Sequence, residues 1–117
     1  MPDVKYISAD QRYSKATSWD GVGYISVQYP DAADQTVTEQ ITEVLGKLDY
    51  YMKELGSDKS KLLKVTLFFA NLSDFDAINL VWDAWIVPGQ PPARSPVLGP
   101  LLRPDVFVAA EAIVAIG

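Results

Sequence analysis

Residues 106–116 read VFVAAEAIVAI, ten apolar positions out of eleven with Glu111 the exception. A run so short and so rich in β-branched residues is a strand rather than a helix, and it lacks the polar alternation of a half-solvated strand. It therefore has to be buried on both faces. The carboxylate inside it needs a cation, hydrogen-bond donors or a solvated cleft, because an unpaired buried acid takes up a proton. A structural ion pair or a partly exposed strand end meets that need as well as a catalytic role does.

The rest of the chain supplies partners for such a strand. Strand-type residues fill 4–8 and 14–28, with Asp20-Gly21 marking a turn and Tyr29-Pro30 a stop, so an opening hairpin or meander is predicted. From Asp34 to Gly56 the apolar positions Val37, Ile41, Val44, Leu45, Leu48, Met52 and Leu55 recur every three or four residues, which is helical spacing. Thr36, Thr38 and Gly46 lower the propensity of this helix without breaking it. In KLLKVTLFFANL, Leu63, Val65, Leu67 and Phe69 alternate with Lys64, Thr66 and Phe68, a strand pattern. A second helix follows, with Ser73 as its expected N-cap and Phe75, Ile78, Trp82, Trp85 and Ile86 on one face. Residues 88–104 hold six of the eight prolines and read as a stiff connection with room for one edge strand.

The order β-β-α-β-α-β over a single domain, 1–117, predicts an α+β two-layer sandwich with two helices on one face of the sheet. Two helices cannot cover both faces. The second apolar face then calls for another subunit, so an oligomer is expected from patterning alone.

Composition narrows the chemistry. The chain has neither cysteine nor histidine, which removes disulfides, thiol nucleophiles, Cys/His zinc sites and serine-histidine triads. Carboxylates, Arg, Lys, Tyr, Ser, backbone groups and water remain; no metal or cofactor is expected, since the acids at 74, 76 and 83 do not converge as a cation site requires. A net charge of −5 argues against a nucleic-acid partner. No apolar leader or membrane-length run is seen, so the expectation is a soluble, cytoplasmic protein with no membrane partner.

GQPPARS presents Arg94 on a rigid mount after two prolines, suited to gripping a carboxylate in a bidentate manner. A snorkelling surface arginine is the plain alternative. Tyr13 and Ser26 offer a phenol and a hydroxyl near a pocket, and Asn79 an amide on the second helix. Ordinary packing, backbone bonding and exposure account for each of them equally well. Trp82 and Trp85 read as core.

From Ser57 to Ser95, the KVTLFF strand, the DFDAIN helix start, WDAW and the arginine after Pro-Ala resemble the YjgF/RidA family, most closely its YoaB-like members. RYSKA and SVQYP extend the likeness over nearly the whole chain. The resemblance implies a chorismate-mutase-like fold, a homotrimer with sheets inside and helices outside, and three sites at subunit interfaces. In active members these sites hydrolyse enamine or imine intermediates to keto acids and ammonia. Arg94 falls on the arginine that binds the substrate carboxylate, Tyr13 on the pocket tyrosine, Ser26 on the serine of an SGQ turn (here with Val27 in place of glycine) and Asn79 on an asparagine near the pocket. In VEIEAIA-type strands the first glutamate positions water; Ala109 stands there, and Glu111 aligns with the second acid. Two functions are therefore expected to compete. One is a deaminase in which Arg94 holds a small carboxylate metabolite while Glu111, Tyr13 or Ser26 directs water. The other is a non-catalytic trimer binding a 2-keto or imino acid.

Overall fold

The computed structural model describes residues 3–31 and 34–117. Its strands are β1 (Lys5–Ile7), β2 (Ala16–Trp19), β3 (Val22–Gln28), β4 (Leu62–Phe69), β5 (Ala93–Leu98) and β6 (Val108–Ala115), and its helices are α1 (Val37–Glu54) and α2 (Phe75–Trp85). The strands form one six-stranded mixed sheet in the order β1-β2-β3-β6-β4-β5, in which β4 and β5 run parallel and the other neighbours antiparallel. β6, the doubly apolar run, sits between the amino-terminal meander and β4. Both helices lie on one face, α1 against β3 and β6 and against α2.

Local chemistry explains most element boundaries. Asp20 and Gly21 both have positive φ, 50° and 82°, the type I′ geometry that matches the twist of the β2–β3 hairpin. α1 starts on a capping box, in which the Thr36 side chain accepts from the Glu39 backbone while the Glu39 carboxylate accepts from the Thr36 N–H. Thr36 is thus a start signal rather than a weak helix residue, and the helix opens at Val37 rather than Asp34. It closes at Gly56, φ 78°, with Gly56 N–H bonded to the Lys53 carbonyl and Ser57 N–H to that of Met52, a Schellman ending.

Two sequence expectations are corrected. Ser73 does not cap α2; it lies within a 3₁₀ turn, Leu72–Asp74, and the helix begins behind Asp74 with no side-chain cap bond. Leu63 does not share the buried face of β4. A register shift against β6 between Leu62 and Lys64 buries Leu62 and leaves Leu63 47% exposed.

The core lies between helices and sheet. Ile41, Val44, Leu48 and Met52 of α1 and Ile78 of α2 are fully buried against Val65, Leu67, Val108 and Val114. Gly23 permits the close approach of α1 to β3, since a Cβ there would stand 2.8 Å from Leu55 Cδ1. Gln40, also fully buried, donates from Nε2 to the Asp105 carbonyl at 2.8 Å and accepts at Oε1 from the Phe107 N–H at 2.7 Å, tying α1 to the segment entering β6. The other face of the sheet carries Tyr24, Ile113 and Lys64 in one row, Glu111 and Thr66 in the next, and Ala109 and Phe68 in a third.

Candidate functional site

Arg94 is the second residue of β5, directly after Ala93, at the start of the extended segment expected behind the two prolines. Its in-register neighbour is Val65, so it projects to the helix-covered side at the edge of the sheet. There its guanidinium lies 5.1 Å from the Trp82 ring and 5.6 Å from the Phe75 ring, and Nη1 donates to Asn79 Oδ1 at 2.8 Å. The three α2 residues at 75, 79 and 82 share a helical stripe, which gives the cation an aromatic bed and one polar anchor. No acid faces it. The ion pairs among the described residues are Lys47 with Asp31 and Glu43, and Arg103 with Asp105, so among these residues neither Arg94 nor Glu111 has an ion-pair partner. A partly buried, oriented guanidinium has the charge and the donor geometry that a carboxylate can accept from.

Tyr13 and Ser26 are placed elsewhere, about the loop between β1 and β2. The Asp10 carboxylate accepts from the backbone N–H of Arg12 at 2.7 Å and of Tyr13 at 3.0 Å, a turn that orders the loop and holds the Asp10 carboxyl below its ordinary pKa. Lys15 Nζ donates to the Tyr13 hydroxyl at 2.9 Å and lies 5.2 Å from its ring; that hydrogen bond is the main reason the Lys15 ammonium is held above its usual pKa. Ser26 occupies an irregular stretch of β3, where the register with β6 slips between Ile25 and Gln28. Its N–H donates to the Lys15 carbonyl at 2.9 Å and its hydroxyl accepts from Gln28 Nε2 at 3.3 Å. Lys15 thus joins the two predicted residues. Sequence reasoning assigned it no role, although it stands two residues from Tyr13 in RYSKA.

Glu111 is partly buried in the middle of the uncovered face, on the strand next to the irregular stretch that holds Ser26. It lines a hollow of about 200 Å³ with Tyr24, Lys64, Thr66 and Ile113. Ala109 points to the same face one row away, fully buried and in register with Phe68. The structure therefore brings Arg94 to Asn79 and links Tyr13 to Ser26 through Lys15; Ser26 lies in the stretch of β3 that passes Glu111 on the adjacent β6, and the Arg94 pair stands apart at the far edge of the sheet. At about 4.8 Å per strand step, β3 lies about 14 Å from β5. Among the described residues, no group of three or more acids is placed to hold a metal ion, and no helix is long and apolar enough to cross a membrane.

This architecture has known relatives. Residues 4–116 match the endoribonuclease L-PSP family. Over 110 residues, 94% of this chain and 96% of the relative, the sequence is 33% identical to the RutC family protein YoaB of Escherichia coli. A crystal structure of a YjgF family member from Neisseria meningitidis superimposes with a TM-score of 0.94 at 32% identity, covering 98% of this chain and 96% of that one. A shorter match, 33% identical over 61 residues, 52% of this chain and 32% of the relative, is to Reactive Intermediate Deaminase A, chloroplastic, of Arabidopsis thaliana. The chain belongs to the family that these proteins define, the YjgF/RidA proteins. Within that family it is YoaB-like.

Proposed function

We propose that this protein is a RidA-like homotrimer that receives a small 2-imino acid between subunits and hydrolyses it to the 2-keto acid and ammonia. The observation that carries the reading is Arg94, oriented on Phe75 and Trp82 and free of any acid among the described residues. Its position also argues for a shared site. Arg94 lies on the β5 edge, whereas Tyr13, Lys15 and Ser26 belong to the opposite half of the sheet. A single copy cannot close both halves on one small molecule, and a head-to-tail arrangement that closes into a ring can. The deaminase name of the Arabidopsis relative points to the same reaction.

In the proposed reaction Arg94 holds the carboxylate. Water adds to the imine carbon while the nitrogen takes up a proton, forming a carbinolamine; the C–N bond then breaks, ammonia leaves, and the oxygen's proton is lost as C=O forms. The iminium carbon is already electrophilic, so placing water against it supplies much of the acceleration. Glu111, Tyr13 and Ser26 are the groups proposed to orient that water, with Asn79 fixing the arginine.

Ala109 favours a second reading, binding without turnover. Its buried methyl stands where the resemblance puts the acid that positions water, and loss of a general acid or base costs about 100-fold to 10,000-fold in rate. One assay separates the two. A 2-imino acid generated in situ is followed by keto-acid release with the wild type, Arg94→Ala and Glu111→Gln. Faster release by wild type, lost in Arg94→Ala, supports the enzyme. Release no faster than buffer, with 2-keto-acid binding that needs Arg94, supports the binding protein. A monomer by light scattering at micromolar concentration removes the shared site from both.

A further inference from the structure

We infer that the site selects ligands with a bulky apolar side chain; this rests on the reading of the Arg94 site given above and names its ligand class. The observation is a cleft of about 320 Å³ lined by Val27, Tyr29, Phe68, Pro100, Leu101 and Leu102. Its volume falls at the lower end of small-molecule sites, about 300–1,000 Å³. Its lining carries no charged side chain, and the Tyr29 hydroxyl is its one side-chain polar group.

The location ties the cleft to the reacting end. Phe68 pairs in register with Ala109, and the next row on the same face holds Thr66 and Glu111. Val27 follows Ser26 directly in the irregular stretch of β3. One wall of the cleft is thus made by residues bordering the groups proposed to orient water. An acid at 109 would put a charge beside Phe68, whereas the alanine keeps this wall apolar. The remaining wall comes from the segment after β5, where Leu102 is 81% exposed.

An exposed leucine beside a phenylalanine and a valine is apolar surface still in contact with water. A short polar ligand such as pyruvate leaves it wet, whereas a branched or aromatic side chain covers it. With the carboxylate on Arg94 of a neighbouring copy and the reacting carbon near Glu111, the side chain extends along the face into the cleft. Each buried carbon adds about fourfold in affinity.

The test uses stable 2-keto acids in calorimetric titrations of the intact protein: pyruvate, 2-oxobutanoate, 4-methyl-2-oxopentanoate and phenylpyruvate. Affinity is expected to rise along the series, with 4-methyl-2-oxopentanoate binding at least about tenfold more tightly than pyruvate. In Leu102→Asp that ratio falls toward one. In Leu80→Asp, an exposed position on α2 outside the cleft, it does not change. Pyruvate binding that requires Arg94 but shows no rise along the series overturns the apolar selection and leaves the proposed function standing. A rise that survives Leu102→Asp overturns the assignment to this cleft. No binding of any member, with Arg94→Ala indistinguishable from wild type, overturns both.

Discussion

The two faces of the sheet are built from the same strands and serve opposite ends. Beneath the helices, Val65, Leu67, Val108 and Val114 are fully buried within one chain. On the other face the intervening residues of β4 and β6 are Lys64, Thr66, Phe68, Ala109, Glu111 and Ile113, in a mixture that no helix covers. Alternation along a strand lets one sequence carry a core and a working surface residue by residue. The difference teaches where mutations speak. Changes on the first face report stability, and those on the second test the proposed assembly and ligand site.

The largest effect is expected for Leu48→Ala, which opens a cavity under the helices and costs about 2–5 kcal/mol in urea unfolding. Ile113→Ala is its counterpart on the uncovered face. Its cost is expected to grow with protein concentration, as burial between copies requires. Equal, concentration-independent costs at the two sites would break the comparison.

Gln40→Ala tests the polar tie within the covered face. It strands the Phe107 N–H and the Asp105 carbonyl, each loss worth about 1–3 kcal/mol, and native hydrogen exchange should loosen first where β6 begins. Thr36→Ala removes the side-chain half of the capping box at a cost of about 1 kcal/mol. The reciprocal partner adds a pH signature. Hydrogen bonding by Thr36 lowers the Glu39 pKa from its ordinary 4.5, so this contribution is complete above that value and is lost as pH falls through the folded one. Stability compared at pH 7 and pH 3 should fall less in Glu39→Gln than in wild type, apart from other acids common to both. The smallest change is a gain. Gly46 lies mid-helix where a Cβ meets nothing within 4 Å, so Gly46→Ala should raise stability by about 0.5–1 kcal/mol in the same unfolding experiment.

What was legible in the sequence was local. The Asp20-Gly21 turn, the three-and-four spacing of α1 and the alternation from Val65 onward each state a backbone geometry within a few residues. Ser73 misled because a 3₁₀ turn displaced the start of α2, and Leu63 because a register shift depends on the partner strand. For the site, the prolines before Ala93 marked Arg94 as lying at the start of an extended segment, which is where β5 has it. Its aromatic bed rests on Phe75 and Trp82, whose spacing in the sequence served equally for core. That Arg94, Tyr13 and Glu111 stand apart followed from strand order, which no local pattern encodes.

The placement of β6 has a consequence for how the molecule folds. Ile25 and Val65 pair with opposite sides of the same residue, Ala112, so the amino-terminal meander and the β4–β5 pair are joined as one sheet through β6 alone. Both unions are distant in sequence, and closing such long loops slows the passage to the native state. Until β6 docks, two open strand edges face each other across an empty lane, each able to pair with the matching edge of another unfinished chain. The arrival of one strand thus decides between a finished subunit and a tangle.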